Sequence, residues 1–375
     1  MKPVILWSDA LFFLLLAMTL GGAVIAARTE HLRAGWRKVW QSRVGRGSAA
    51  VLAVFFLIAF IDSLHYRPKL PDSPLGETRY STEVLSALDA LLTPLRTQTE
   101  KTYSAPLATH LFAKETLDDA GRDFPPLRYP GTHLFGTDKV GQDVLYLTLK
   151  SIRTGLLIGT LTTLIMLPAA IFLGLLAGYA GGWIDDVIQY LYTTLNSIPG
   201  VLLIAAAVLM MQVVIDTHPE WFATSAERAD ARLLALCAIL GITSWTGLCR
   251  LLRGETLKLR ELEYVQAARS LGVSGARILW RHILPNVMHI VMIAIVMDFS
   301  GLVLAEAVLS YVGIGVDPNT ISFGTMINTA RMELAREPMV WWSLAAAFVF
   351  MFVLVLAANL FADVVRDAFD PRAAK

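Results

Sequence analysis

Seven runs of apolar residues, long enough or nearly long enough to cross a bilayer, constrain this chain more than any other feature. They are Ile5 to Ala27, Ala49 to Leu64, Gly155 to Ala180, Val187 to Ile215, Arg232 to Leu252, Val287 to Tyr311 and Met339 to Phe361. A spanning helix needs about 20 largely apolar residues, because in hydrocarbon its backbone polar groups must be satisfied within the helix itself. The second run is short unless it borrows from its flanks, and Asp62 near its end marks a water boundary. With 55% hydrophobic and only 17% charged residues, a soluble globular chain is excluded. The expected class is an all-α integral membrane protein with about seven transmembrane helices.

Sidedness follows from lysine and arginine, which remain on the cytoplasmic side of short loops. The loop "RTEHLRAGWRKVWQSRVGRG" holds Arg28, Arg33, Arg37, Lys38, Arg43 and Arg46 against Glu30 alone. A second basic loop carries Arg250, Arg253, Lys258, Arg260, Arg269, Arg277 and Arg281. Four crossings separate the two loops, an even number, so both can face the cytoplasm. Seven crossings then put Met1 outside and Lys375 inside. Lys2 and the small residues that close the first run also fit a cleavable signal peptide. Cleavage would export both basic loops against the charge rule, so an uncleaved span is expected.

The outer side holds one sizeable extramembrane region, Asp62 to Lys150. In "STEVLSALDALLTPL" the residues Val84, Leu85, Leu88, Leu91, Leu92 and Leu95 share a helical face, with Ser81 or Thr82 as cap and Pro94 as terminator. "PLATHLFAKETL" suggests a second short helix. Segments rich in Pro and Gly, "RPKLPDSPLG" and "FPPLRYPGTHLFG", read as turns of a small cap. Such a cap either seals the outer mouth or touches a soluble partner, and the residues leave both open.

The chemistry that is missing narrows the function. No Gly-Lys pair exists, so there is no GxxxxGK[ST] loop to cradle a nucleotide. HExxH, GxSxG and CxxC are also absent, and the seven histidines lack metal-ligand spacing. No catalytic residue, metal site or bound cofactor is expected. Cys237 and Cys249 stand near opposite ends of one run and read as packed thiols. A net charge of +1 offers no overall field for nucleic acid. The partner the composition does demand is the lipid bilayer.

A chain without a motor that crosses the membrane must receive work from elsewhere, and "EYVQAARSLGVSGARILWRHILPN" (Glu263 to Asn286) is built for that. Ala267, Ala268, Gly272 and Gly275 have almost no side chain, so another surface can approach the backbone closely. Tyr264, Ala268 and Leu271 follow helical spacing and offer an apolar edge. Gly272 ends the helix, and Pro285 marks the return into the membrane. An amphipathic helix resting on lipid headgroups is the alternative, and residue types alone do not separate the two.

"YVQAARSLG" followed by "RHILPN" resembles the EAA loop of ATP-binding-cassette importer permeases, a pattern of EAA, three residues, Gly, nine residues and I-x-L-P. Gln266, Ala267 and Ala268 stand at EAA, Gly272 at the glycine, and His282, Leu284 and Pro285 at the end. "HLFGTDKVGQDVL" is similar to the GTDxxGRD signature of the dipeptide and oligopeptide (DppC/OppC-type) branch, matching at Gly136, Thr137, Asp138, Gly141 and Asp143. "GYAGGWIDDVI", "LAEAVLSYVGIGV", "SFGTMIN" and "VVRDAFDPR" resemble further pieces of that branch, in order, over His133 to Arg372. The resemblance implies a permease domain over 136–375, preceded by two spans (1–64) and an outer region (65–135). It implies that Glu263, Gln266, Ala267, Ala268, Leu271, Gly272 and Pro285 form a coupling helix gripped by a separate ATPase subunit. It also implies a second, homologous permease, one or two ATPases holding the ATP and Mg, and a periplasmic solute-binding protein at a bacterial inner membrane.

Departures accompany the likeness. Gln142 replaces the signature arginine, and Tyr146 and Leu147 stand where Ser-Arg is usual, although Arg153 is kept. The first span is additional to the usual six. Apart from Ser8, Asp9 and Thr19 it is apolar, which favours packing over an assembly role. Polar groups within the apolar runs are costly and therefore candidates to line a path: Asn196 and Ser197 beside Pro199, Asp298 in mid-span, and Glu306 nearer the outer end. For each, an interhelical hydrogen bond that only fixes packing is the competing reading. Peptide is the cargo implied by the resemblance, with nickel chelates, glycosides and peptide antibiotics as alternatives. A non-transporting assembly or sensor subunit is the reading from another class.

Overall fold

A computed structural model describes residues 2–70, 80–117 and 121–369. Part of the "RPKLPDSPLG" stretch and the end of "VVRDAFDPR" lie outside the described residues. Among the described residues, seven helical segments are long and apolar enough to cross a membrane. The first three helices are α1 (Trp7–Arg28), α2 (Glu30–Gln41) and α3 (Arg43–Asp62). Ser42, extended at ψ 131°, ends α2 and caps α3 by accepting from the Gly45 N–H. The second crossing therefore starts at Arg43 and reaches 20 residues, so the run that looked short is a complete span.

The outer region is less helical than expected. Strands β1 (Lys2–Val4), β2 (His65–Arg67) and β3 (Leu85–Ser86) form an antiparallel sheet in that order, pairing Lys2 with Arg67 and His65 with Ser86. Two short helices follow, α4 (Ala87–Leu91) and α5 (Thr93–Thr97). The expected single helix from Ser81 is thus corrected. Ser86 is its cap, exchanging hydrogen bonds with Asp89 in a capping box, and Pro94 opens α5 instead of closing α4. The "PLATHLFAKETL" stretch forms turns and the strand β4 (Glu115–Leu117), paired with β5 (Gly121–Asp123), where a short helix was expected.

The "GTDKVGQD" stretch then folds as the cap of the longest helix. Asp138 accepts from the Val140 and Gln142 N–H groups, Gly141 takes φ +76°, and Asp143 accepts from the Tyr146 N–H to open α6 (Val144–Ala180). Trp342 donates its ring N–H to the Thr137 carbonyl at 2.9 Å, fixing this turn to the last crossing.

The fourth crossing is two helices, α7 (Gly182–Ser197) and α8 (Gly200–Thr217), where one continuous span was expected. Pro199 has no N–H and Ile198 is extended at ψ 130°, so the helix stops between Ser197 and Gly200. The fifth crossing, α9 (Ser225–Ser244) and α10 (Thr246–Leu259), is nearly continuous through Trp245. After α11 (Glu263–Ser270), α12 (Gly275–Ile278) passes through a π turn at Leu279–Ile283 into α13 (Leu284–Val312). Finally α14 (Phe323–Arg331), opened by a capping box of Ser322 with Thr325, leads to α15 (Trp342–Phe369).

Contacts at the helix ends establish which ends share a side. The β1–β2 pairing joins the start of α1 to the end of α3. On the opposite side, Trp36 of α2 packs its ring 6.4 and 5.8 Å from Phe361 and Phe369 of α15. There too Arg260 donates to the Gly178 carbonyl near the end of α6, at 3.1 Å. The ends alternate as seven crossings require. Gly174 and Gly178 let the backbones of α6 and α10 meet: a Cβ at either would stand 2.8 or 2.7 Å from the Cys249 or Arg253 carbonyl oxygen. One apolar core unites the outer halves of α6, α9, α13 and α15, and a second unites the inner halves of α6, α10 and α13 with α11.

Candidate coupling surface and intramembrane polar groups

Helix α11 is only eight residues long, too short to persist alone, and its neighbours stabilise it. Glu263 in the first turn and Arg269 in the last complement the helix dipole. The C-terminal end is a Schellman motif, with Gly272 N–H on the Arg269 carbonyl at 3.0 Å and Val273 N–H on that of Ala268 at 3.1 Å. Gly272 sits at φ +77°, in the left-handed region where a Cβ is strained.

The helix has two faces. Val265 and Ala268 are buried against the inner core with Ile278, Ile283 and Val287. Glu263, Gln266, Ala267 and Gly272 are exposed, and Leu271 is 83% exposed. Ala268 therefore does not lie on the exposed apolar edge; that edge is Tyr264 and Leu271. Tyr264 accepts a hydrogen bond at 3.2 Å from Asn286, tying α11 to the foot of α13. Pro285 stands exposed in the first turn of α13, just after the π turn. That turn re-routes the backbone bonding where the proline supplies no N–H, so the chain re-enters the membrane with little interruption of the helix.

Below α11 the frame is clamped. Arg253 of α10 holds both carboxylate oxygens of Asp185 of α7 with one guanidinium edge, Nε and Nη2 donating at 2.5 and 2.7 Å. Such a bidentate pair resists rotation as well as separation. With the Arg260 bond to Gly178, it joins α10 and its end to α7 and α6. Arg269, Arg277 and Arg281 surround the exposed face, and among the described residues none of them has an ion-pair partner.

The intramembrane polar residues do not form one cluster. Asn196, at the end of α7, accepts from the Thr246 hydroxyl at 3.0 Å, while the Ser197 hydroxyl turns back to the Thr193 carbonyl. Glu306 is 1% exposed and accepts from Ser310 at 2.7 Å and Ser322 at 2.8 Å, pinning α14 to α13. Asp298 is half-buried on α13, about 12 Å further down the helix, and has no hydrogen-bond partner among the described residues.

One polar cluster has no counterpart among the expected site residues. Asp9 of α1, fully buried, accepts from Arg153 at 2.5 Å and lies 2.8 Å from the His65 ring. Arg153 also reaches Ser8 and Ser63, and Asp230 of α9 accepts from the Ser8 N–H at 3.1 Å. Ser8 and Asp9 were visible as the polar residues of the first span, but nothing in the sequence pairs them with Arg153.

Residues 170–375 match the family described as "Binding-protein-dependent transport system inner membrane component". The chain is 34% identical over 246 residues to the oligopeptide transport system permease protein OppC of Mycobacterium tuberculosis, covering 65% of this chain and 78% of that one. It is 31% identical over 243 residues to the dipeptide transport system permease protein DppC of Lactococcus lactis subsp. cremoris, covering 65% of each. Among solved structures, the inward-facing MetNI methionine ABC transporter aligns with a TM-score of 0.43 at 15% identity, over 60% of this chain and 98% of that one.

Proposed function

This chain belongs to the family of binding-protein-dependent transport system inner membrane components, the permeases of ATP-binding-cassette importers, and we propose that its cargo is peptide and that α11 is its coupling helix. As a multi-pass permease of this family it works with ATPase and binding-protein partners. In the proposed assembly it pairs with a second, homologous permease over residues 136–375. One or two separate ATPase subunits hold the ATP and Mg; the chain itself hydrolyses nothing and binds no cofactor. A periplasmic solute-binding protein delivers cargo to the outer side. The N-terminus is periplasmic and the C-terminus cytoplasmic, because the two arginine-rich loops share the opposite side from β1.

The observation that carries this reading is the construction of α11. An exposed face of Gln266, Ala267, Leu271 and Gly272 stands on a base formed by Val265 and Ala268, which is packed into the protein's own spans. A helix resting on lipid would turn its apolar residues to the bilayer; here Val265 and Ala268 are turned into the protein, and the exposed face mixes Gln266, Ala267 and Gly272 with Tyr264 and Leu271. ATP-driven closure of the ATPases would push this face and rock α6, α7, α10 and α13 between outward-open and inward-open states. Similarity to oligopeptide and dipeptide permeases supports peptide as cargo.

Disulfide cross-linking tests the docking. A Leu271→Cys variant, assembled with an ATPase subunit carrying a cysteine in its facing groove, should cross-link rapidly and change yield with nucleotide. No cross-link in a complex that still hydrolyses ATP removes the coupling role. Cargo is tested on the cognate binding protein, whose melting temperature short peptides should raise. A rise only with metal chelates or glycosides rejects peptide.

A further inference from the structure

The helix α2 between the first two spans has a use that the importer reading does not require. Its packing side is defined: Val39 is 1% exposed and Trp36 lies against Phe361 and Phe369. Because α2 joins the ends of two spans and rests on the last turns of a third, it lies at the bilayer surface. Its other side presents Arg33, Arg37 and Lys38, all exposed, and Arg43 and Arg46 follow at the start of α3. Among the described residues none of these five cations has an ion-pair partner. The acids in the last turns of α15, Asp363 and Asp367, are paired with Arg366. Arg33, Arg37 and Trp40 fall at adjacent positions of the helix surface, and Trp40 is 57% exposed at the edge between the apolar and basic sides.

We propose that this basic side of α2, with Trp40 as its interfacial anchor, is a binding site for the headgroups of anionic phospholipids. The chemistry fits. Guanidinium groups form charge-assisted hydrogen bonds with phosphate, an indole settles at headgroup depth, and a cluster of cations beside a span attracts an anionic leaflet. A protein partner fits less well, because α2 belongs to the side of the bundle formed by α1, α3 and α15. The exposed α11 face is built on α6, α10 and α13. The bound lipid would hold α2 against α15 and fix the inner ends of α1 and α3.

The test titrates the purified full-length chain with dioleoyl-phosphatidylglycerol, and separately with dioleoyl-phosphatidylcholine, and counts bound lipid by native mass spectrometry. The wild-type chain should prefer phosphatidylglycerol. The Arg33→Gln/Arg37→Gln/Lys38→Gln variant should lose that preference by about tenfold or more, and Arg33→Lys/Arg37→Lys should keep it. Equal affinity for both lipids, or a Gln variant that binds as the wild type does, overturns the proposal. So does a Gln variant that retains lipid but no longer holds the ATPase subunits, which would make the patch a protein contact. If the Gln variant does not insert, salt decides on the wild-type chain: a headgroup preference that persists unchanged at about 0.5 M salt is not electrostatic and rejects the site.

Discussion

Asp9 and Arg153 meet at 2.5 Å across 144 positions of sequence, and this contact fastens the additional first span to the permease core. Arg153 is the arginine kept in the family pattern. Asp9 is fully buried, and its other oxygen takes the Leu6 N–H and the His65 ring. Replacing Asp9 by Ala leaves a guanidinium in protein with only the Ser8 and Ser63 hydroxyls. Stranding one partner of a buried pair costs about 3–5 kcal/mol, whereas removing both is far less damaging. Asp9→Ala should therefore lower the melting temperature of the detergent-purified chain by several degrees, and Asp9→Ala/Arg153→Met should recover part of the loss. A double variant no better than the single one would show that the pair does not couple the two helices.

The turn at Gly272 separates a backbone requirement from a docking requirement. No atom would meet a Cβ there, yet φ is +77°. Asn tolerates that conformation; Val does not, at a cost of about 1–2 kcal/mol. Gly272→Val should insert normally but reduce transport-coupled ATP hydrolysis by tenfold or more. Gly272→Asn should retain most coupling. Equal loss in both variants would mean that the smallness of the residue, and not its backbone angle, is what the ATPase reads.

Spans were legible because an unbroken apolar run needs no partner to be recognised, and the end of α11 because Gly272 signals its own conformation. The α7–α8 break is legible only locally: Val187 to Ile215 is apolar as a whole, and the stop is marked by Thr193, Asn196 and Ser197 ahead of Pro199 and Gly200. Ser86 was preferable as a cap to Ser81, since Asp89 three residues on completes a capping box. The burial of Ala268 was not accessible. On a short helix it could face either way, and only the packing of Val265 against the inner core decides. Pairings such as Arg253 with Asp185 and Arg153 with Asp9 depend on which helix ends converge, and no local pattern encodes that.

Acid should loosen the outer cap at Asp89. Burial pushes its carboxyl up, but Lys150 at 2.7 Å, the Ser86 N–H and the Tyr146 hydroxyl pull harder, and the net value lies below the ordinary 3.8. A carboxyl depressed in the folded state contributes stability that is complete above its unfolded value and is lost as pH falls through the folded one. Amide hydrogen exchange across 86–97, corrected for its intrinsic pH dependence, should therefore accelerate several-fold between pH about 5 and about 3. Asp89→Asn should exchange faster at neutral pH and lose most of the acid response. A wild-type response equal to that of the variant would remove Asp89 as the cause.

Asp298 and Glu306 occupy one helix but should respond oppositely to removal of charge. Glu306 is enclosed and accepts from Ser310 and Ser322, so Glu306→Ala strands two hydroxyls and opens a cavity between α13 and α14. About 2–4 kcal/mol should be lost, visible as a lower melting temperature and weaker assembly. Asp298 has no hydrogen-bond partner among the described residues and is only half-buried. Asp298→Asn therefore sacrifices no internal contact, and its melting temperature should stay within a degree or two of the wild type. If its carboxyl faces the cargo path, uptake into proteoliposomes should fall about three- to tenfold, most for peptides with a free ammonium group, since one lost charge contact is worth about 1 kcal/mol. Unchanged uptake kinetics with unchanged stability would place Asp298 outside the path.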